Sequence, residues 1–192
     1  MARNHRRGQC ALRRDAGRCE PTSGRGRGRG AESGAAVKLE LLESLRRSRA
    51  QVLAALDGVS EYDRRRPLVA SGTNLLGLVK HLAGEEHGYL GESLGRTPLL
   101  RPTWFRDDPY EEQDMWASPD ESTDYITGVY RELSAHSDQV VLSLDLDSPA
   151  HVAHWEKHET TMGYLLFTMA TETAQHAGHA TALRHLVTQS AR

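Results

Sequence analysis

Near the C-terminal end of the chain, Glu172-Thr-Ala-Gln-His176-Ala-Gly-His179 places one carboxylate and two imidazoles within a single short run. In a helix each residue turns 100°, so Glu172 and His176 lie about 40° apart on one face, one turn apart along the axis. His179 stands about 60° to the other side of that stripe. Imidazole and carboxylate are ligands for divalent metals, and a pair on one helix needs a third from another element. His81, in Leu78-Val-Lys-His81-Leu-Ala-Gly-Glu85-Glu-His87, is the candidate, tilted inward by Leu78 and Leu82. By itself such a histidine is more often a hydrogen-bonded core residue than a ligand. Glu172 is harder to explain structurally: it shares an inner stripe with Met169, Ala170, Ala174 and Ala177, and burying an unpaired charge is costly. One divalent ion held by His81, Glu172 and His176 would account for all three. His179 reads as a group outside the ligand set that holds water or substrate, with a fourth ligand as the alternative.

These residues need helices to present them. From Val37, the leucines and valines at 39, 42, 45, 52, 53 and 56 recur at intervals of three and four and predict an amphipathic helix ending near Asp57-Gly58. A second helix is predicted over about 74–94, capped by Thr73 or Ser71. The connection over roughly 95–118 carries Trp104 and Trp116; its length favours a lid or binding loop, with the two indoles walling a pocket. Ser118-Pro119-Asp-Glu121 combines a cap, an N1 proline and a capping-box glutamate, predicting a third helix that runs to about Leu144. The polar stretch 145–159 reads as a crossing loop whose His151, His154 and His158 are solvated, and His87 is expected on a peripheral face. A fourth helix is predicted over about 161–187. With no strand alternation and no repeats, the expected fold is all-α, an up-down four-helix bundle.

Composition bounds the partners. Residues 1–36 carry nine arginines against Asp15, Glu20 and Glu32, a net of +6, so a chain total of −2 leaves −8 on the remainder. An acidic body does not support a nucleic-acid-binding domain. The Gly/Arg-rich tail has almost no large apolar residues and is expected to be disordered. It has the composition of a solvated extension, or of a start codon assigned upstream of Val37, more than of an RNA-binding arm or a transit peptide. Both cysteines, Cys10 and Cys19, lie in it, so the body has no disulfide, cysteine nucleophile or thiolate metal site of its own. No apolar run is long enough for a membrane span and no secretory apolar stretch is present, so the expected compartment is the cytoplasm.

From about Val37 the chain resembles the DinB superfamily, in particular its actinobacterial mini-circle branch. The resemblance rests on Leu78-Val-Lys-His81-Leu-Ala, Asp114-Met-Trp116-Ala-Ser-Pro-Asp-Glu-Ser122 and Glu172-Thr-Ala-Gln-His176-Ala-Gly-His179-Ala. It implies a four-helix bundle, often dimeric, with one divalent metal on three side chains. Many members carry histidine where this chain has Glu172; the mycothiol-dependent maleylpyruvate isomerase group uses a Glu-x-x-x-His pair like this one. Some relatives transfer low-molecular-weight thiols such as mycothiol. Despite the superfamily's name, no polymerase activity is implied. Three ligands leave a position open for chemistry, and a bound ion lowers the pKa of what it coordinates. The expected activity is therefore a metal-assisted S-transferase joining a soluble thiol to a small electrophile, with His179 shuttling a proton. Zinc is the default ion, and nickel, iron or manganese suit the same donors. A non-catalytic metal-stabilised bundle that binds small molecules is the main alternative; a non-haem iron oxygenase, whose facial triad has the same donors, is a distant one.

Overall fold

The computed structural model describes residues 26–67, 69–105, 115–117 and 119–190, with side chains from residue 32 to 189 in those spans. Among them are five α-helices and one small antiparallel sheet: α1 (Gly26–Ala54), α2 (Glu61–Arg65), α3 (Leu75–Tyr89), a 3-10 turn (Glu92–Leu94), α4 (Thr123–Ser143), β1 (Pro149–His151), β2 (Glu159–Thr161) and α5 (Met162–Ser190).

Several boundaries differ from the sequence reading, each for a local reason. α1 starts at Gly26, eleven residues before Val37, so part of the stretch expected to be disordered is helical. Residues 32–37 are solvent-exposed apart from half-buried Gly34; extending an established helix is far easier than nucleating one, even without packing. α3 is capped by Asn74, whose side chain accepts a hydrogen bond from the Gly77 N–H at 2.7 Å, rather than by Thr73 or Ser71. α4 begins after Ser122, whose hydroxyl accepts from the Tyr125 N–H. The expected cap at Ser118 lies outside the described residues, and Pro119-Asp120 is a turn. Glu121, expected to close a capping box, instead pairs with the buried Lys80 ammonium at 2.8 Å. In the expected crossing loop, Pro149 pairs with Thr161 and His151 with Glu159, a two-stranded hairpin too short to show alternation in sequence.

Two apolar clusters fill the interior. One gathers Val52 of α1 and Leu56 in the turn after it, Leu75 to Leu82 of α3, Ile126 to Leu133 of α4 and Leu183 and Val187 of α5. The other gathers Leu42 and Leu45, Leu90, Val140 and Val141, and Met162 to Met169. Followed along the chain, α1 and α5 run from the second cluster to the first, whereas α3 and α4 both run from the first to the second. Successive long helices therefore do not simply alternate in direction. The chain leaving α3 must return the length of a helix before α4 can start, and this is a structural reason for the long connection that sequence alone suggested as a lid.

Part of that return lies directly on α3. A Cβ added to Gly77 would overlap the carbonyl of Met115, so glycine at this position admits the crossing backbone. Lys80, one turn on, also donates to the Trp116 carbonyl at 3.3 Å. Gly77→Ala is expected to cost roughly 1–3 kcal/mol, as overpacking does, seen as a lowered denaturation midpoint. An unchanged midpoint would mean that the 115–117 segment does not rest on α3.

Candidate metal centre

α3 and α5 pack against each other, and that contact assembles the predicted ligands. One donor atom each from His81, Glu172 and His176 lie within 4.8 Å of one another. His176 Nε2 is 3.0 Å from Glu172 Oε1, and His81 Nε2 is 4.0 Å from the same oxygen. The two imidazoles meet edge to face with centroids 5.0 Å apart. The placement follows from local sequence: apolar Leu78, Val79 and Leu82 seat α3 in the core, and Met169, Ala170 and Ala177 do so for α5. His81 and Glu172 thereby stand at the edge of the shared seam.

Burial is graded across the set. His176 is nearly enclosed, with its side chain 11% exposed, whereas that of Glu172 is 35% exposed. Glu172 is therefore not the buried charge in need of a cation that the sequence suggests: its carboxylate lies at the rim, open to solvent. What supports a metal is convergence, since a carboxylate and two imidazoles share one small volume with a side open to solvent. Burial pushes the His176 imidazole below its ordinary pKa, the neighbouring His81 adds to this, and Glu172 opposes it. The neutral imidazole is the form that can coordinate a cation. The donors present therefore fit a divalent ion such as zinc.

The remaining candidates separate. His179 is exposed, and its Nδ1 lies 3.5 Å from Nδ1 of His176, the ring nitrogen that faces away from Glu172. It borders the cluster without belonging to the converging set. Trp104 is buried in the core, edge-on to Phe105 and Tyr125, with the Lys80 ammonium 5.4 Å from its ring centre. Trp116 is 44% exposed. Neither indole lines the groove along the second half of α3. An aromatic residue in a long loop carries no sign of whether it will fill a core or wall a pocket. His87, expected to be peripheral, is buried against Phe105 with its Nδ1 lacking a hydrogen-bond partner, and burial lowers its pKa against the pull of Glu92.

Two features escaped the sequence reading. One is a groove of about 370 Å³ between the second half of α3 and the segment around β1, lined by Glu85, Gly88, Tyr89, Glu92, His151 and His154 among others. The recurrence of His81, Glu85 and Gly88 at i, i+4 and i+7 was its only trace in sequence. The other is an enclosed ionic network. Arg49 donates through Nε and Nη2 to the two oxygens of Glu86, at 2.6 and 2.8 Å, and through Nη1 to Asp138 at 2.6 Å. Burial disfavours the Arg49 charge, but Glu86, joined by Asp138, overrides this and raises its pKa. Nothing in the spacing of 49, 86 and 138 announces that they meet.

Among the described residues, no helix is long and apolar enough to cross a membrane. No curated protein matches the chain significantly. A family model described as mycothiol-S-transferase matches residues 40–189 and so covers α3, all but the last residue of α5, and the three converging residues. On that match, the chain belongs to the mycothiol-S-transferase family, a DinB-like family.

Proposed function

We propose that this protein is a metal-dependent S-transferase that joins a low-molecular-weight thiol of the mycothiol type to a small electrophile, within a four-helix bundle formed by α1, α3, α4 and α5. The observation that carries the reading is the convergence of His81, Glu172 and His176 from two helices at an edge open to solvent. Membership of the mycothiol-S-transferase family supports the thiol. A site with three protein ligands and one open side is the pattern of a catalytic metal, whereas structural sites are closed.

His81, Glu172 and His176 would hold the ion, with zinc the choice best suited to these donors. When bound, a divalent cation would lower the pKa of a coordinated thiol, as it does for water, making thiolate available at neutral pH. The body has no cysteine, so the sulfur comes from a soluble cosubstrate. In the reaction the thiol S–H bond is broken, the proton passes to the exposed imidazole of His179, and sulfur forms a bond to an electrophilic carbon of the second substrate. A leaving group departs with its bonding pair where the substrate carries one. His176 is held between Glu172 and His179, so both of its ring nitrogens have a neighbour that restrains the ring.

The test is removal and return of the ion. Purified protein is treated with a chelator, then reconstituted with zinc, and consumption of mycothiol is followed with monobromobimane as electrophile. Chelation is expected to lower the rate at least ~100-fold and zinc to restore it, with one ion per chain by native mass spectrometry and elemental analysis. A protein that binds zinc but consumes no thiol would support the binding-only alternative; a rate indifferent to chelation would remove the metal from the chemistry.

A further inference from the structure

Tyr89 closes α3 and lines the groove along its second half. We propose that it is a catalytic hydrogen-bond donor to the electrophile, and that it favours second substrates whose attacked carbon passes its electron pair to an oxygen, such as conjugated carbonyls and epoxides; this rests on the transferase reading above.

The hydroxyl is held from behind. Trp155 Nε1 donates to the Tyr89 oxygen at 3.3 Å. An indole can only donate, so the phenol's own proton must point elsewhere. The acceptor the fold offers is Nε2 of exposed His154, at 3.4 Å; hydroxyl bonds are usually ~2.5–3.0 Å. A substrate oxygen entering the groove can take that proton at a shorter distance. The ring is fixed as well: it packs on Trp155 and His154 with centroids 5.6 and 5.9 Å apart, and Trp155 meets Tyr164 of α5 edge to face. The turn carrying both partners is closed by the Val152 N–H, which donates to the His158 carbonyl at 2.8 Å. The donor is thus positioned before a ligand arrives, and a preorganised donor acts most strongly on developing charge.

Tyr89 stands just over two turns beyond His81, about 80° around the helix and ~12 Å along it. Helical side chains lean toward the N-terminus, so the phenol reaches back over the intervening turn toward His81. It feels the charge of Glu172 as well as that of Glu85, which ties it to the α5 carboxylate at the rim of the converging set. Burial first, and then these two charges, raise the Tyr89 pKa against the hydrogen bond from Trp155. The phenol is thereby kept a donor and not a base. The groove, at about 370 Å³, is large enough for a small electrophile.

The donor's position selects the chemistry. With a conjugated carbonyl, sulfur bonds to the β-carbon and the C=C pair shifts toward oxygen. Tyr89 donates to the resulting enolate, which then takes a proton from water at its α-carbon. With an epoxide, one C–O bond breaks as sulfur bonds to that carbon; the alkoxide takes the Tyr89 proton, and water replaces it. A halide carries its bonding pair away as an ion and needs no proton.

The experiment compares two electrophiles, cyclohexenone and monobromobimane, on zinc-loaded protein with mycothiol. Wild type is expected to consume both. Tyr89→Phe keeps the ring and deletes the hydroxyl; it is expected to lower kcat/KM for cyclohexenone relative to that for bromobimane at least ~10-fold, with zinc stoichiometry retained. Tyr164→Phe removes a phenol that also packs on Trp155 but does not line the groove, and it should keep the wild-type ratio. A second readout needs no metal: the carbonyl stretch of cyclohexenone bound to metal-free wild type should lie at lower wavenumber than with Tyr89→Phe. Bromobimane consumed but not cyclohexenone, an unchanged ratio in Tyr89→Phe, or an unchanged carbonyl stretch would each overturn the donor and leave the transferase standing. Consumption of neither electrophile would sink the transferase reading, and the donor with it.

Discussion

His176→Ala is expected to lower zinc affinity more than ~100-fold and to abolish metal-dependent thiol consumption with it. Losing a second-shell partner of a metal ligand already costs about 10–100-fold, and His176 is the most enclosed of the three proposed ligands, with Glu172 Oε1 3.0 Å away. Removing it leaves His81 and Glu172 at the rim, two donors with no third behind them. Zinc binding by calorimetry or a competing chelator reads the first effect, and bimane conjugation of mycothiol reads the second. The comparison with His179→Ala separates ligand from neighbour: that variant should keep its zinc and lose rate, most visibly in the pH profile. Zinc bound by His176→Ala with wild-type affinity would show that the cluster is not the metal site.

The second large effect concerns stability. Glu86 is fully buried and accepts two hydrogen bonds from Arg49. Glu86→Ala removes the carboxylate and leaves the guanidinium enclosed, with Asp138 as its remaining carboxylate partner in the network. Breaking a buried ion pair by deleting one partner costs about 3–5 kcal/mol. For a chain of this size that corresponds to a fall in Tm of about 6–20 °C. Replacing all three members by apolar residues of similar volume should cost far less, because no charge is then left without its partner. A drop below ~1 kcal/mol for Glu86→Ala would mean that water reaches Arg49 and the pair is not enclosed as described.

The convergence of His81, Glu172 and His176 was legible in sequence because two of them sit four residues apart on one helix and the third lies among inward-facing leucines of another. Helical periodicity decides which residues share a face, and the burial of Leu78, Leu82 and Met169 confirms which faces turn inward. The long helices were legible for the same reason, since Leu42, Leu45 and Val52 of α1 recur with a period that only a helix can bury on one side. Membership of a DinB-like family was readable in short motifs around His81 and Glu172, and the family match agrees.

What stayed hidden depends on contacts between distant segments. Helix direction is one example: α3 and α4 run the same way, and only the assignment of Leu90 with Val140 to one cluster and Leu75 with Ile126 to the other reveals it. Trp104 is another, because an indole in a loop carries no periodicity and its burial against Tyr125 is decided by where the connection folds back. Caps moved by a few residues wherever a side chain found a better tertiary partner, as Glu121 did with Lys80. By itself, the sequence determined the helices and the donor pair on α5, since local periodicity depends only on neighbours along the chain. Tertiary structure alone decided the exposure of Glu172, the Arg49–Glu86–Asp138 network and the groove at Gly88, since each depends on which helices and loops come to lie side by side.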